Sequence, residues 1–199
     1  MSLLSRDFYH RDPRIVAREL IGKLLVRRTR QGLCSGIIVE TEAYLATDDP
    51  ASHSFRGPTR KNATMFGRAG LLYVYPIHGR YCLNTVTEAR GIASAVLIRA
   101  VQPLLGSELM HQRRQSDPRE LARGPARLCE AFAVDWRLDG WDLTRGTRIW
   151  IESHSNDISS ARIQVTRRIG VTSAHDLELR YALRDSPFVS GPRRFGALP

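Results

Sequence analysis

Three observations predict an α+β fold built on a largely antiparallel sheet. Strand-like and helix-like runs mix without a regular βαβ rhythm. The runs at 71–77 and 80–86 flank a short turn containing glycine, the pattern of a β-hairpin. No linker rich in Pro, Gly or Ser, no repeat and no low-complexity block divides the 199 residues. Residues 1–199 therefore read as one domain, long enough to bury a sizeable core.

The elements follow in order. Asp12-Pro13 opens the first helix, with Ile15, Val16, Leu20 and Ile21 before Gly22; proline is tolerated at the first helical position and glycine at the stop. Strands are predicted at 24–28 and 36–44. A period of two from Gly36 to Tyr44 sets Ile38, Glu40, Glu42 and Tyr44 on one face. Two carboxylates and an aromatic ring on an apolar strand are an unusual combination. Residues 45–70 are polar and long for a connection, hence a candidate functional loop. They carry Asp48, Asp49, His53 and the basic run from Arg56 to Lys61. The hairpin follows, with His78 and Gly79 at its tip. A further strand runs from Ala95 to Val101, with Arg99 toward its end. Helices are predicted at 107–116 and 125–133, the second opened by Gly124-Pro125, and short strands at 147–152 and 162–169.

Charge gives the first positive indication of function. The formal net charge is +10, which points to polyanionic partners. Of the 30 basic residues only Lys23 and Lys61 are lysines. Arginine binds phosphate with a planar, bidentate fork, so the bias favours nucleic acid, although a GC-rich genome also writes arginine in place of lysine. Two lysines leave little for Schiff-base chemistry. Cys34, Cys82 and Cys129 are odd in number and widely spaced, which argues against a disulfide scaffold and a zinc ribbon. Apolar runs such as Ala95-Val96-Leu97-Ile98 fall far short of the roughly 20 residues of a membrane span. The first residues lack the basic end and long apolar stretch of a secretory leader. A cytoplasmic setting is expected.

The phosphate-loop, dinucleotide, zinc-protease and serine-elbow motifs are all missing. What remains is Glu40 with Glu42, Asp48 and Asp49 with His53, Tyr73 with Tyr75, and Arg99. A carboxylate beside aromatic rings suits a general base, especially where an arginine fixes its charge, and aromatics on a cationic surface stack on nucleobases. Each residue also has an ordinary role: a solvated strand carboxylate, a turn cap, a core tyrosine or an ion-pair partner. Three classes stay open on residues alone. They are an enzyme acting on nucleic acid through a carboxylate base, a metal-dependent nuclease using Glu40, Glu42, Asp48, Asp49 and His53 as hard ligands, and a non-catalytic DNA-binding protein.

Several segments then occur in a telling order: Val39-Glu40-Thr41-Glu42-Ala43-Tyr44-Leu45, Asp49-Pro50-Ala51-Ser52-His53-Ser54, Asn62-Ala63-Thr64-Met65-Phe66, Gly70-Leu71-Leu72-Tyr73-Val74-Tyr75, Cys82-Leu83-Asn84 and Val96-Leu97-Ile98-Arg99-Ala100. With Gly124-Pro125-Ala126-Arg127-Leu128-Cys129 and Arg168-Ile169-Gly170-Val171, the set covers nearly the whole chain and closely resembles the alkyladenine (3-methylpurine) DNA glycosylase family.

The resemblance implies a single domain with a curved, basic face on duplex DNA, flanking helices and a protruding hairpin that enters the minor groove. It implies Glu42 as the general base for water, with Arg99 and the backbone carbonyl of Ile169 holding that water. Tyr44, His53 and Tyr75 would sandwich an extruded base, and Asn84 would line the pocket and disfavour guanine's exocyclic amino group. His78 would intercalate where the better-known members carry tyrosine, a smaller wedge. Thr59, Arg60 and Lys61 are expected among the DNA-backbone contacts. The expected protein is a monomeric, monofunctional hydrolase without cofactor or metal, acting on double-stranded DNA that contains damaged purines. A bacterial, nucleoid-associated enzyme is implied, without membrane contact.

Overall fold

The computed structural model describes residues 2–154, 159 and 162–191. Among the described residues four α-helices, α1 (Arg6–Tyr9), α2 (Pro13–Leu20), α3 (Ser107–Arg114) and α4 (Pro125–Ala131), accompany eight strands. The strands are β1 (Leu24–Thr29), β2 (Gly32–Tyr44), β3 (Leu72–Ile77), β4 (Arg80–Thr87), β5 (Ser94–Leu105), β6 (Ile149–Glu152), β7 (Ile163–Thr166) and β8 (Arg180–Leu183). All pairings are antiparallel, in the order β3-β4-β5-β2-β1-β6, with β8 beside β2 and β7 beside β8. The α+β prediction holds, and the sheet curls into a half-barrel.

The first helix starts as predicted: Asp12 accepts the Arg14 N–H at 2.8 Å, and Pro13 fills the next position. α2 packs on β2 and β5, and α4 on β4 and β5. Val16, Leu20, Ile38, Leu83, Ile98, Leu128 and Phe132 are fully buried between them, so this layer supplies the core.

β2 is the organising strand. Its first half pairs with β1, its second half pairs with β8 on that same edge, and β5 runs along the other edge. The β2–β5 register slips where Glu40 faces Ala100, leaving Val39 and Arg99 without opposite partners, and resumes at Thr41 and Ile98. Such irregularities bend a strand and re-aim its side chains.

Several boundaries differ from expectation. β2 begins earlier and β5 ends later than predicted, because their outer ends pair at Ser35 and Leu105. The predicted strand at 162–169 stops at Thr166. Beyond it the Ile169 N–H goes to a side chain rather than a ladder, and Gly170 turns the chain at φ +77°. β8 was not foreseen. The loop at 45–70 is ordered by a 3₁₀ turn over Ala63–Phe66 and by buried Asp49, Ser52, Ser54 and Asn62.

Candidate active site

The irregular stretch of β2 and β5 delivers both carboxylates to one guanidinium. Arg99 donates from Nε to Glu40 Oε1 at 3.0 Å, and its Nη1 lies 3.2 Å from Glu42 Oε2. Glu42 is fully buried. Its Oε1 accepts the backbone N–H of Ile169 at 2.8 Å, and its Oε2 accepts the Tyr44 hydroxyl at 3.0 Å. The Ile169 carbonyl in turn accepts from Arg99 Nη1 at 3.5 Å. Glu42, Arg99 and Ile169, named together from the sequence, are therefore in mutual contact. Tyr44 sits two residues along β2, on the same side as Glu42.

Behind this contact, Glu40 gathers further partners. Glu40 Oε1 also accepts Arg180 Nε at 2.7 Å and the Ser190 hydroxyl at 3.0 Å, and its Oε2 accepts the Ser190 N–H at 2.7 Å. Burial alone would raise the Glu40 pKa, but Arg99 and Arg180 outweigh it and hold the carboxyl below its ordinary value. Burial alone would lower the Arg99 pKa, and Glu42 and Glu40 reverse that, keeping the guanidinium charged. For Tyr44 burial and Glu42 both push the pKa up, so the phenol stays protonated and its O–H donates a hydrogen bond to the carboxylate.

A cavity of about 320 Å³ is lined by Tyr44, whose hydroxyl is on Glu42, and by His53, Met65, Tyr73, Tyr75 and Asn84 among others; Gly170, next to Ile169, lines it too, whereas Glu42 and Arg99 do not. His53 Nδ1 lies 3.0 Å from the Tyr73 hydroxyl. Its ring meets Tyr75 edge to face, 4.4 Å between centroids, and Tyr73 stacks on Tyr75 at 5.5 Å. His53 and Tyr75 thus touch edge to face. Partial burial lowers the His53 pKa and favours the neutral imidazole. Asn84 donates from Nδ2 to the Tyr73 carbonyl at 3.1 Å; because that partner only accepts, the amide's orientation is set.

The remaining sequence-named residues lie outside the cavity. His78 and Gly79 form the hairpin tip with φ +48° and +75°, both left-handed as a two-residue type I′ turn requires. Pro76, Ile77, His78, Gly79 and Arg80 are all exposed, so the hairpin end stands clear of the sheet. Pro76 costs no ladder bond to a further strand because β3 is an edge strand. Thr59, Arg60 and Lys61 are exposed on a loop that Asn62 clasps. Asn62 Oδ1 accepts from the Thr59 N–H at 2.6 Å, and its Nδ2 donates to the His53 carbonyl at 2.8 Å.

Sequence reasoning missed Arg180 and Ser190, and left Tyr73, Asn62 and Asp49 without roles. Asp49 is fully buried and paired to Arg168, whereas Asp48 is exposed with φ +56°. The five residues considered as hard metal ligands are thereby dispersed, and among the described residues no group of three or more His, Cys, Asp and Glu is placed to hold a metal ion. No helix among them is long and apolar enough to cross a membrane.

The sequence model described as methylpurine-DNA glycosylase matches residues 7–187. A protein of Rhodopirellula baltica is 45% identical over 194 residues, 94% of this chain and 83% of its own length. One from Koribacter versatilis is 44% identical over 194 residues, 96% and 94% of the two chains. One from Carboxydothermus hydrogenoformans is 44% identical over 190 residues, 94% and 98%. All three bear the name "Putative 3-methyladenine DNA glycosylase".

Proposed function

The chain belongs to the methylpurine-DNA glycosylase family, a family of DNA N-glycosylases, and we propose that it hydrolyses the N-glycosidic bond of damaged purines in duplex DNA by means of a water activated by Glu42. The substrates are alkylated adenine and guanine, hypoxanthine and ethenoadenine, and the product is an abasic site, the entry to base excision repair. The observation that carries this reading is the fully buried Glu42 carboxylate, gripped by Ile169, Tyr44 and Arg99, with Tyr44 also lining the aromatic cavity.

Each step makes a demand that these residues meet. The glycosidic carbon of a stacked nucleotide is out of reach of any side chain, so the nucleotide must be extruded at a cost of a few kcal/mol. His78 at the exposed hairpin tip fills the vacated space, and the Tyr44 ring on one side and the His53–Tyr75 pair on the other stack on the flipped base, offsetting that cost. Asn84 lines the pocket where it disfavours guanine's exocyclic amino group. Thr59, Arg60 and Lys61 contact the backbone.

Bond cleavage passes through an oxocarbenium-like transition state, for which a carboxylate both takes a proton from water and offsets developing positive charge. Arg99 and the Ile169 carbonyl, already beside Glu42, hold the water. Cationic alkylpurines leave readily; neutral hypoxanthine needs protonation. Neither lysine lines the cavity, which supports a monofunctional reading in which water rather than an amine cleaves the bond. The metal-nuclease alternative loses its ligands to Arg99, Arg180 and Arg168, which occupy the carboxylate oxygens of Glu40, Glu42 and Asp49.

The test is incubation with duplex oligonucleotides carrying 3-methyladenine, hypoxanthine or ethenoadenine, followed by hot alkali to convert abasic sites to strand breaks. Breaks only after alkali, undiminished by EDTA, are expected. Direct scission that EDTA abolishes would establish a metal nuclease, and intact lesion strands a binding protein.

A further inference from the structure

Tyr44 and Ile169 must both be held against Glu42, although they come from opposite ends of the chain. One buried ion pair reaches the surroundings of both. Arg168 Nη1 and Nη2 donate to the two oxygens of Asp49 at 2.7 Å each, and both side chains are wholly shielded from solvent. Arg168 Nη1 also donates to the Ala43 carbonyl at 3.1 Å, and its guanidinium lies 4.7 Å from the centroid of the Tyr44 ring. From the other side, Asp49 accepts the N–H groups of Leu45 at 3.0 Å and Ala51 at 3.2 Å, and the Asp49 carbonyl accepts that of Ser52, next to His53. Arg168 is followed directly by Ile169, whose N–H is on Glu42.

Stability alone does not explain this arrangement. Replacing a buried ion pair by apolar residues of the same size is often neutral or stabilising, so burial of this pair is not by itself a gain in stability. Cation–π contact with the flat guanidinium instead fixes the plane of the Tyr44 ring. We infer that Asp49 and Arg168 are a positioning pair for the hydrolysis: they set the Tyr44 ring and the Ile169 backbone relative to Glu42 without touching a reacting atom. The inference rests on the reading of Glu42 as general base.

Single-turnover excision of hypoxanthine from a duplex, with the full-length protein in excess, separates positioning from folding. The amplitude reports the competent fraction and the rate constant reports the assembled site. D49N keeps shape and loses charge; R168K keeps charge and loses the fork and the flat face over Tyr44; D49N/R168M removes both charges. For D49N and R168K the rate constant is expected to fall at least about tenfold, within what ångström-scale misplacement costs. Amplitude and affinity for undamaged duplex should stay within about twofold of wild type, because neither side chain reaches the surface. The double variant should be no slower than the slower single, as residues acting as one unit are not additive. Reduced amplitude with the wild-type rate constant would make the pair merely structural and overturn the inference, as would unchanged rate constants. Glu42→Gln run alongside tells the two failures apart: if it is slow while the pair variants are not, the positioning role alone falls, and if it is not slow, both fall.

Discussion

The Glu42 carboxylate accepts the backbone N–H of Ile169 at 2.8 Å, across 127 positions of the chain. The bond joins the strand that carries the acid to the turn whose carbonyl faces Arg99. A backbone donor cannot swing away, so it holds the carboxylate in one orientation.

Glu40 should govern acid stability. Its folded-state pKa is depressed, so on acidification the unfolded chain takes up the proton first. The stability it contributes is complete above the ordinary glutamate pKa and is lost as pH falls below that value through the folded pKa. Glu40→Gln strands Arg180 beside a neutral partner, while Arg99 keeps Glu42, and should cost about 3–5 kcal/mol at neutral pH. Urea midpoints from about pH 7 down to about pH 3 should then fall less steeply in the variant than in wild type. Parallel curves would mean that Glu40 does not carry this charge.

The DNA surface has a signature in salt. Log K for duplex binding should fall linearly with log salt, with a slope of about −0.9 per phosphate neutralised. Arg60→Ala and Lys61→Ala should each flatten the slope by about that amount if each meets one phosphate. A flat wild-type response would remove the basic face from the mechanism.

His78 can be read through lesion binding. Tyrosine offers more stacking area than imidazole, so His78→Tyr should tighten binding to hypoxanthine duplex several-fold. His78→Ala should weaken it by about 5- to 100-fold, the range that loss of one base–aromatic stack covers. Affinity for undamaged duplex should change little in either. Equal shifts on damaged and undamaged DNA would assign His78 to the turn alone.

What was legible in the sequence was local. Asp12-Pro13 announced α2, and His78-Gly79 announced the hairpin, because turns and caps select residue types directly. Alternation along β2 put Glu42 and Tyr44 together. The partners were not legible, because nothing in a local pattern ties Asp49 to Arg168 or Glu40 to Arg180. Glu40 meets Arg180 only because β8, four residues long, adds to the edge of β2 that β1 vacates. Likewise, Arg99 reaches both carboxylates only through a slip in register, and a period-two reading assumes an unbroken ladder.

The central claim is that Glu42 is the general base, and single-turnover excision by Glu42→Gln tests it most directly. The change keeps size and shape but removes the basic oxygen and the negative charge. The rate of hypoxanthine excision should drop at least about a hundredfold, the lower part of the usual general-base contribution, while the variant still binds the hypoxanthine duplex as wild type does. Excision at near wild-type rate would contradict the assignment and move the base to another residue, with Glu40 the first to be examined.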